Sequence, residues 1–312
     1  YKGGPVYYIT TAFKGGFGKF LAGFFAVAII LALGFMGCMV QSNSIGSTFE
    51  TAFGVPSWIV GIVLVVICGF IFVGGVQRLA SVTEKLVPIM AVIFLVGGLG
   101  VLAARIQYIP ATFAMIFQYA FQPQAIVGGA FGTALKAAIS QGAKRGLFSN
   151  EAGSGSAPCA AAAADESDPV KGGLVQALGV FIDTIVICSC TAMIMLLVPE
   201  ELTTGLAGMD LLQKVMSYYM GEFGVVFIAV TLALFSFSTF LGILFYARSN
   251  VAYLFGNCWC YQTLYKIFAL IMLFVGGLQA YTVVWDLGDV GVGLMTVFNL
   301  IVLFPLSGEA LR

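Results

Sequence analysis

Residues 143–164 have the sequence AKRGLFSNEAGSGSAPCAAAAA, in which glycine, serine and charged side chains interrupt an otherwise apolar chain. The glycines and Pro158 weaken helical hydrogen bonding, and backbone groups that leave a helix inside a membrane need other partners. Such breaks occur where the backbone lines a water-filled cavity or holds a ligand. We therefore predict a broken span, with residues 159–164 as its second half-helix. The alternative is a cytoplasmic loop after a short helix, with glycine and serine providing flexibility.

The overall composition indicates an all-α membrane protein. Hydrophobic residues make up 60% of the 312 residues and charged residues only 9%, whereas a soluble domain carries about a quarter charged residues. The formal net charge of zero offers no basic face to nucleic acid, and the sequence contains no histidine. Zinc hydrolases and Ser-His-Asp enzymes are therefore not expected. The seven cysteines show no metal-ligand spacing and are expected to be buried structural residues.

Apolar runs of about 20 residues, the length that crosses a bilayer core, predict eight crossings in a single membrane domain. The predicted spans are 20–45, 55–76, 84–104, 127–165 (broken), 173–198, 222–246, 265–281 and 290–306. With the N-terminus in the cytoplasm, nine Lys and Arg residues fall inside and three outside, while Lys144 and Arg145 near the broken segment are assigned to neither side. This distribution agrees with the positive-inside rule. If the broken segment did not cross the membrane, every later loop would lie on the opposite side, and the excess of Lys and Arg in the cytoplasmic loops would be lost. The predicted location is the cell membrane.

Two groups of polar residues lie within the later spans. Asp183 stands in the apolar run GVFIDTIVICSC with Thr184 beside it, and a carboxylate inside a span indicates either function or a structural pair. Ser236, Ser238 and Thr239 punctuate an apolar helix. Their hydroxyls would suit a hard cation, although hydrogen bonding between helices is the common role of such residues.

Two further polar residues have open interpretations. Gln41 lies near the end of the first span, where it would contact either a substrate or water at the membrane surface. Glu151 lies in the interruption itself, and its carboxylate either takes part in function or forms a salt bridge with Arg145 or Lys144.

The stretch GLFSNEAGSGSAP, residues 146–158, resembles the alanine or glycine:cation symporter family, which are sodium:amino-acid carriers of the APC superfamily. Further stretches resemble this family in the same order, namely GGPVYYI after the second helix, VQSNSI in the third, FIDTIVICSCTA in the seventh, FSFSTFLG in the eighth and GLMTVFNLIVL in the tenth. The resemblance implies the leucine-transporter fold, with two five-helix inverted repeats that each begin with a broken helix. The chain would correspond to helices three to ten, truncated at both ends, and we expect that it does not transport alone.

The resemblance also implies the function and the roles of single residues. It implies sodium-coupled uptake of a small neutral amino acid, typically alanine or glycine, with sodium as the coupling ion and no other cofactor. Substrate is expected near Gln41, Phe148, Ser149, Asn150, Thr239 and Ile243, and sodium near Ser238 and Thr239. Glu151 and Asp183 are the candidates for coupling or gating. Ile243 stands where family members usually have tryptophan, so the pocket is expected to be larger and alanine is in question as the substrate.

Sodium-coupled alternating access is the function that we predict, without enzymatic activity, and three alternatives remain. An uncoupled facilitator or channel would pass the amino acid regardless of the sodium gradient. A membrane-embedded enzyme would need Asp183 and Glu151 to meet in one cavity, whereas we expect them on separate helices. A transport-inactive remnant would follow from the missing helices.

Overall fold

The computed structural model describes residues 3–73, 75–120, 131–151, 153–164, 166 and 168–310. These residues form helices and connecting turns, and the described part of the chain contains no strand. Six helical segments within it are long and apolar enough to cross a membrane, and a shorter apolar helix occupies Ser57–Phe72. The all-α membrane fold expected from composition is therefore confirmed.

The helices follow one another with short connections. They are α1 (Pro5–Ala12), α2 (Gly16–Leu31), α3 (Cys38–Phe53), α4 (Ser57–Val73), α5 (Gly75–Ala104), α6 (Ile109–Ala120), α7 (Phe131–Asn150), α8 (Ala157–Ala161), α9 (Pro169–Phe181), α10 (Ser189–Leu196), α11 (Gly208–Met220), α12 (Glu222–Phe255), α13 (Trp259–Gly277) and α14 (Tyr281–Ala310). Two π-helical segments, Ala32–Gly37 and Ile182–Cys188, join α2 to α3 and α9 to α10 without a break. Single 3₁₀ turns occupy Ile106–Tyr108 and Glu200–Leu202.

The main core lies where α2, α3, α12 and α13 pack against one another. Large apolar side chains that are fully buried fill it, including Phe25, Ile29, Phe240, Leu241 and Leu244. Glycines allow the helices to approach closely, as is common in membrane bundles. A Cβ atom added at Gly276 would lie 2.2 Å from the Cα of Met39. A second apolar cluster joins α5, α10, α11 and α12.

Some helix bounds differ from the apolar runs. Helix α5 begins at Gly75 and therefore includes the connection expected between 55–76 and 84–104. Helix α13 ends at Gly277, short of the end of the expected span 265–281. Hydropathy locates the apolar part of a helix, whereas polar residues with good helix propensity extend the helix beyond it.

The expected break near residues 143–164 is present as a change in backbone conformation. Helix α7 ends at Asn150, and the short helix α8 follows at Ala157–Ala161. This second half-helix is only five residues long and begins earlier than the expected 159–164. The first part of the predicted span, from residue 127, includes positions that lie outside the described residues.

Candidate functional site

The interruption between α7 and α8 is built by residues with unusual backbone angles. Glu151 has a φ of +53°, and it is the single non-glycine residue with positive φ among the described residues. Gly153 and Gly155 follow with φ values of +83° and +97°. Glycine adopts such angles without steric cost, while a glutamate held there stores strain of about 1–3 kcal/mol. Pro158, in the first turn of α8, then starts the next helix.

Specific hydrogen bonds satisfy two of the carbonyl groups in the interruption, one from a distant helix and one from a nearby serine. Asn299 of α14 donates from Nδ2 to the carbonyl oxygen of Gly153 at 2.8 Å, and the Tyr8 hydroxyl of α1 donates to Oδ1 of the same asparagine. The backbone N–H and the hydroxyl of Ser154 both donate to the carbonyl oxygen of Glu151, at 3.0 and 2.6 Å. The unwound stretch is therefore ordered by specific hydrogen bonds rather than left as a flexible loop.

The packing around the interruption is tight on the side of α1 and α2. A Cβ atom added at Gly155 would lie 2.7 Å from the ring of Phe25 and 2.9 Å from Pro5. On the α12 side, Nδ2 of Asn250 approaches the Cys159 sulfur at 3.9 Å. Glycine at position 155 is thus required both by its backbone angle and by space.

The end of α7 is joined to the π-helical segment Ile182–Cys188 through three polar contacts. The Ser149 hydroxyl donates to Oδ2 of Asp183 at 3.2 Å and lies 3.1 Å from the Cys188 sulfur. The Asn150 amide donates to the Thr184 hydroxyl at 2.5 Å. A π-helical turn widens the helix and occurs frequently at functional sites. The structure thus brings Asp183 together with two of the residues predicted to contact substrate.

Arg145 connects the same stretch of α7 to α14. Its guanidinium donates to both carboxylate oxygens of Asp289, at 2.7 and 2.5 Å, and Lys144 lies 3.6 Å from that carboxylate. The guanidinium also stands over the rings of Phe148 and Trp285, at 6.0 and 5.1 Å from their centroids. These two rings pack on each other with their centroids 5.0 Å apart.

The alternative of a salt bridge between Glu151 and Arg145 or Lys144 is wrong, because both cations pair with Asp289 instead. The Glu151 side chain lies within hydrogen-bonding reach of Ser156.

The whole chain is similar to one family of transporters. Residues 1–312 match the sodium:alanine symporter family. The chain belongs to this family. An uncharacterized transporter of Haemophilus influenzae is 40% identical over 98% of this chain and 63% of the relative. The probable sodium/glutamine symporter GlnT of Bacillus subtilis is 39% identical over 98% of this chain and 63% of the relative.

A third relative, the sodium/alanine symporter AgcS of Methanococcus maripaludis, is 36% identical over 98% of this chain and 67% of the relative. The chain thus spans about two thirds of the length of these relatives. The family resemblance seen in GLFSNEAGSGSAP and in the five further stretches is confirmed.

Other residues expected at the site of this family member lie apart from the end of α7. Ser238 of α12 is buried and donates to the Phe235 carbonyl at 2.8 Å, and its oxygen lies 3.3 Å from Sδ of Met90. Thr239 is exposed, and Gln41 of α3 is half-buried. Ile243 is buried, and its side chain lies 3.1 Å from where a Cβ atom of Gly37 would stand. The Ser238 hydroxyl thus contacts α5 and its own helix rather than the end of α7.

Three residues that contact the interruption or the end of α7 were not predicted from the sequence, namely Asn299, Trp285 and Asp289. The predicted span 290–306 left Asp289 in a loop, whereas α14 begins at Tyr281. Asp286 and Asp289 are three residues apart, and carboxylates at this spacing in an apolar helix would have been a usable signal.

Proposed function

We propose that the protein is a sodium-coupled symporter of small neutral amino acids, of the alanine and glycine type, that works by alternating access in the cell membrane. The observation that carries this proposal is the ordered interruption after α7 in a member of the sodium:alanine symporter family. In secondary transporters, discontinuous helices bind substrate and ions near the middle of the bilayer. A leucine-transporter-like arrangement of helices around this interruption is part of the proposal.

The substrate would lie against the end of α7. The Phe148 ring, supported by Trp285, offers an apolar wall to a small side chain. Ser149 and Asn150 offer a hydroxyl and an amide to the polar ends of an amino acid. Both already hydrogen-bond to the π-helical segment, so substrate binding would compete with those contacts and bias the position of α7. The proposed contacts from other helices are Gln41, Thr239 and Ile243.

Sodium would bind at the hydroxyls of Ser238 and Thr239, because a hard cation prefers oxygen ligands. Ser238 already donates its proton to a carbonyl, which leaves the oxygen lone pairs free to face a cation.

Glu151 and Asp183 are the proposed coupling or gating residues, since they stand on separate segments that flank the α7 terminus.

The proposal is tested by uptake of radiolabelled alanine and glycine into proteoliposomes that contain the complete protein. We expect uptake with an inward sodium gradient and loss of uptake when potassium replaces sodium. Two relatives carry the names of different amino acids, glutamine and alanine, so unlabelled glutamine is included as a competitor. Uptake that ignores the sodium gradient would identify an uncoupled facilitator, and absence of uptake of all three amino acids would contradict the proposal.

Two pairs of variants separate the proposed roles. Ser238→Ala should raise the sodium concentration for half-maximal uptake by about tenfold, the effect of losing roughly 1.4 kcal/mol of binding free energy. The matched control is Ser236→Ala, another buried hydroxyl of α12. Asp183→Asn keeps an oxygen that accepts from Ser149 but removes the charge, while Ser149→Ala removes the hydrogen bond. A coupling role predicts loss of sodium dependence in Asp183→Asn alone.

A further inference from the structure

A groove runs along the surface of α5 and ends beneath Arg105. It has a volume of about 300 Å³, and the end of α11 forms its opposite wall. The groove is lined by Val96, Gly97, Gly100, Val101, Ala104, Arg105, Tyr219 and Met220. Small residues on one face of α5 therefore leave an elongated apolar space at the outside of the bundle.

The exposed side of α5 beside this groove has the character of a surface that faces lipid. Val92, Val96 and Leu99 are 60%, 70% and 51% exposed and belong to a helix apolar enough to cross a membrane. A Cβ atom added at Gly100 would meet no other atom within 4 Å. On the inner side of the groove, the Phe227 ring packs against Gly97. Its Cζ would lie 2.3 Å from a Cβ atom added at this glycine. The groove is thus open outward and closed inward.

Arg105 supplies a positive charge at the end of the groove. Its guanidinium lies 5.9, 5.8 and 5.5 Å from the ring centroids of Tyr108, Tyr218 and Tyr219. Both salt bridges found within the described residues involve Asp289, so no described carboxylate neutralises Arg105. Burial raises the pKa of the Tyr219 phenol to about 12, although the neighbouring cation opposes the shift. The Tyr219 phenol therefore supplies no anion to Arg105.

We propose that this groove binds an anionic phospholipid, with one acyl chain along α5 and the headgroup phosphate at Arg105. The small residues provide the space for the chain, and the three tyrosines are aromatic side chains of the kind that lie at the headgroup level of a membrane. A basic residue near the surface attracts anionic lipid by about 1 kcal/mol. The charge selects a phosphatidylglycerol-type headgroup over a zwitterionic one. The site is independent of the amino-acid and sodium sites proposed above.

The test measures lipid binding to the complete, delipidated protein by native mass spectrometry. Phosphatidylglycerol and phosphatidylcholine with identical acyl chains are added in turn. We expect tighter binding of phosphatidylglycerol, and Arg105→Gln should weaken it about fivefold, the ratio that corresponds to 1 kcal/mol. The control Lys136→Gln removes an exposed cation of α7 and should leave binding unchanged.

A second pair of variants tests the acyl-chain groove itself. Gly100→Leu adds a side chain to the groove at a position where a Cβ atom meets no other atom within 4 Å, and Gly179→Leu of α9 adds the same side chain at another exposed glycine with open space around its Cβ position. Binding of both lipids should fall in the first variant and stay unchanged in the second. The proposal is overturned if Gly100→Leu binds lipid as the wild type does, because protein or solvent then occupies the groove. Equal binding of the two headgroups would overturn it as well.

Discussion

Asn299 connects three parts of the molecule through one amide group. Its Nδ2 donates to the freed carbonyl of Gly153, and its Oδ1 accepts from the Tyr8 hydroxyl. The residue is 1% exposed, so neither bond is replaced by bulk water when the amide is removed. An unsatisfied buried polar group costs about 1–3 kcal/mol, which makes this single side chain important for the conformation of the interruption.

Asn299→Ala should therefore lower the thermal stability of the protein in detergent, by about 1–3 kcal/mol, and reduce alanine uptake because the unwound segment loses its anchor. Tyr8→Phe serves as the graded control. It removes one hydroxyl but leaves the bond to Gly153, so its effect should be smaller. Equal stability of Asn299→Ala and the wild type, measured by thermal unfolding, would show that the interruption orders itself without α14.

The interruption could be predicted from sequence because its causes are local. The glycines at 153 and 155 adopt positive φ, and Pro158 starts a helix, and both properties belong to the residue types themselves. The partners of the interruption could not be predicted in this way. Asn299 is 146 positions away from Gly153 in the sequence, and nothing in the local pattern states which helices become neighbours.

At the level of elements, the contact between α7 and α14 combines charge with aromatic packing. Asp289 has a side chain that is only 6% exposed, while that of Arg145 is 46% exposed. A buried carboxylate that loses its cation is strongly destabilised, whereas removing both charges is tolerated much better. The ion pair therefore holds the end of α7 against α14. A movement of α7 in the proposed transport cycle would either break this ion pair or move α14 together with α7.

Arg145→Gln should reduce both thermal stability and alanine uptake, and Arg145→Gln combined with Asp289→Asn should restore part of the stability because no charge is then left unpaired. Lys144→Gln is the matched control. Lys144 lies 3.6 Å from the same carboxylate, without the short hydrogen bonds of the arginine, so its loss should matter less. Additive effects in the double variant, measured as a thermodynamic cycle, would contradict a direct coupling.

The π-helical segment Ile182–Cys188 shows another limit of sequence interpretation. The sequence shows Asp183 as a carboxylate within an apolar run, but the run gives no sign of a π-helical turn or of the Ser149 hydroxyl that bonds to it. Hydropathy reports the environment of a helix, whereas the π turn and the pairing with α7 depend on the packing of two helices. For the same reason, the sequence could not indicate that the Thr239 side chain is exposed while the neighbouring Ser238 is buried.

At the scale of the whole molecule, the distribution of cysteines offers a test of the predicted orientation. The expectation of buried cysteines is met by Cys38, Cys68, Cys159 and Cys190 but is wrong for Cys258 and Cys260, which are exposed at the start of α13. The distribution of Lys and Arg residues puts the connection between α12 and α13 in the cytoplasm and the connection between α10 and α11 outside. The two exposed thiols should therefore be reachable from the cytoplasmic side alone.

In intact cells, a membrane-impermeant maleimide should leave Cys258 and Cys260 unlabelled, and labelling should appear once the membrane is permeabilised. The variant Cys258→Ser/Cys260→Ser should remove most of that labelling, because four of the remaining thiols are buried. Introducing Glu201→Cys into this variant places a thiol in the exposed turn before α11, where labelling should occur in intact cells. The opposite pattern would reverse the orientation of every span. It would also place the groove of α5, and with it Arg105, in the cytoplasmic leaflet.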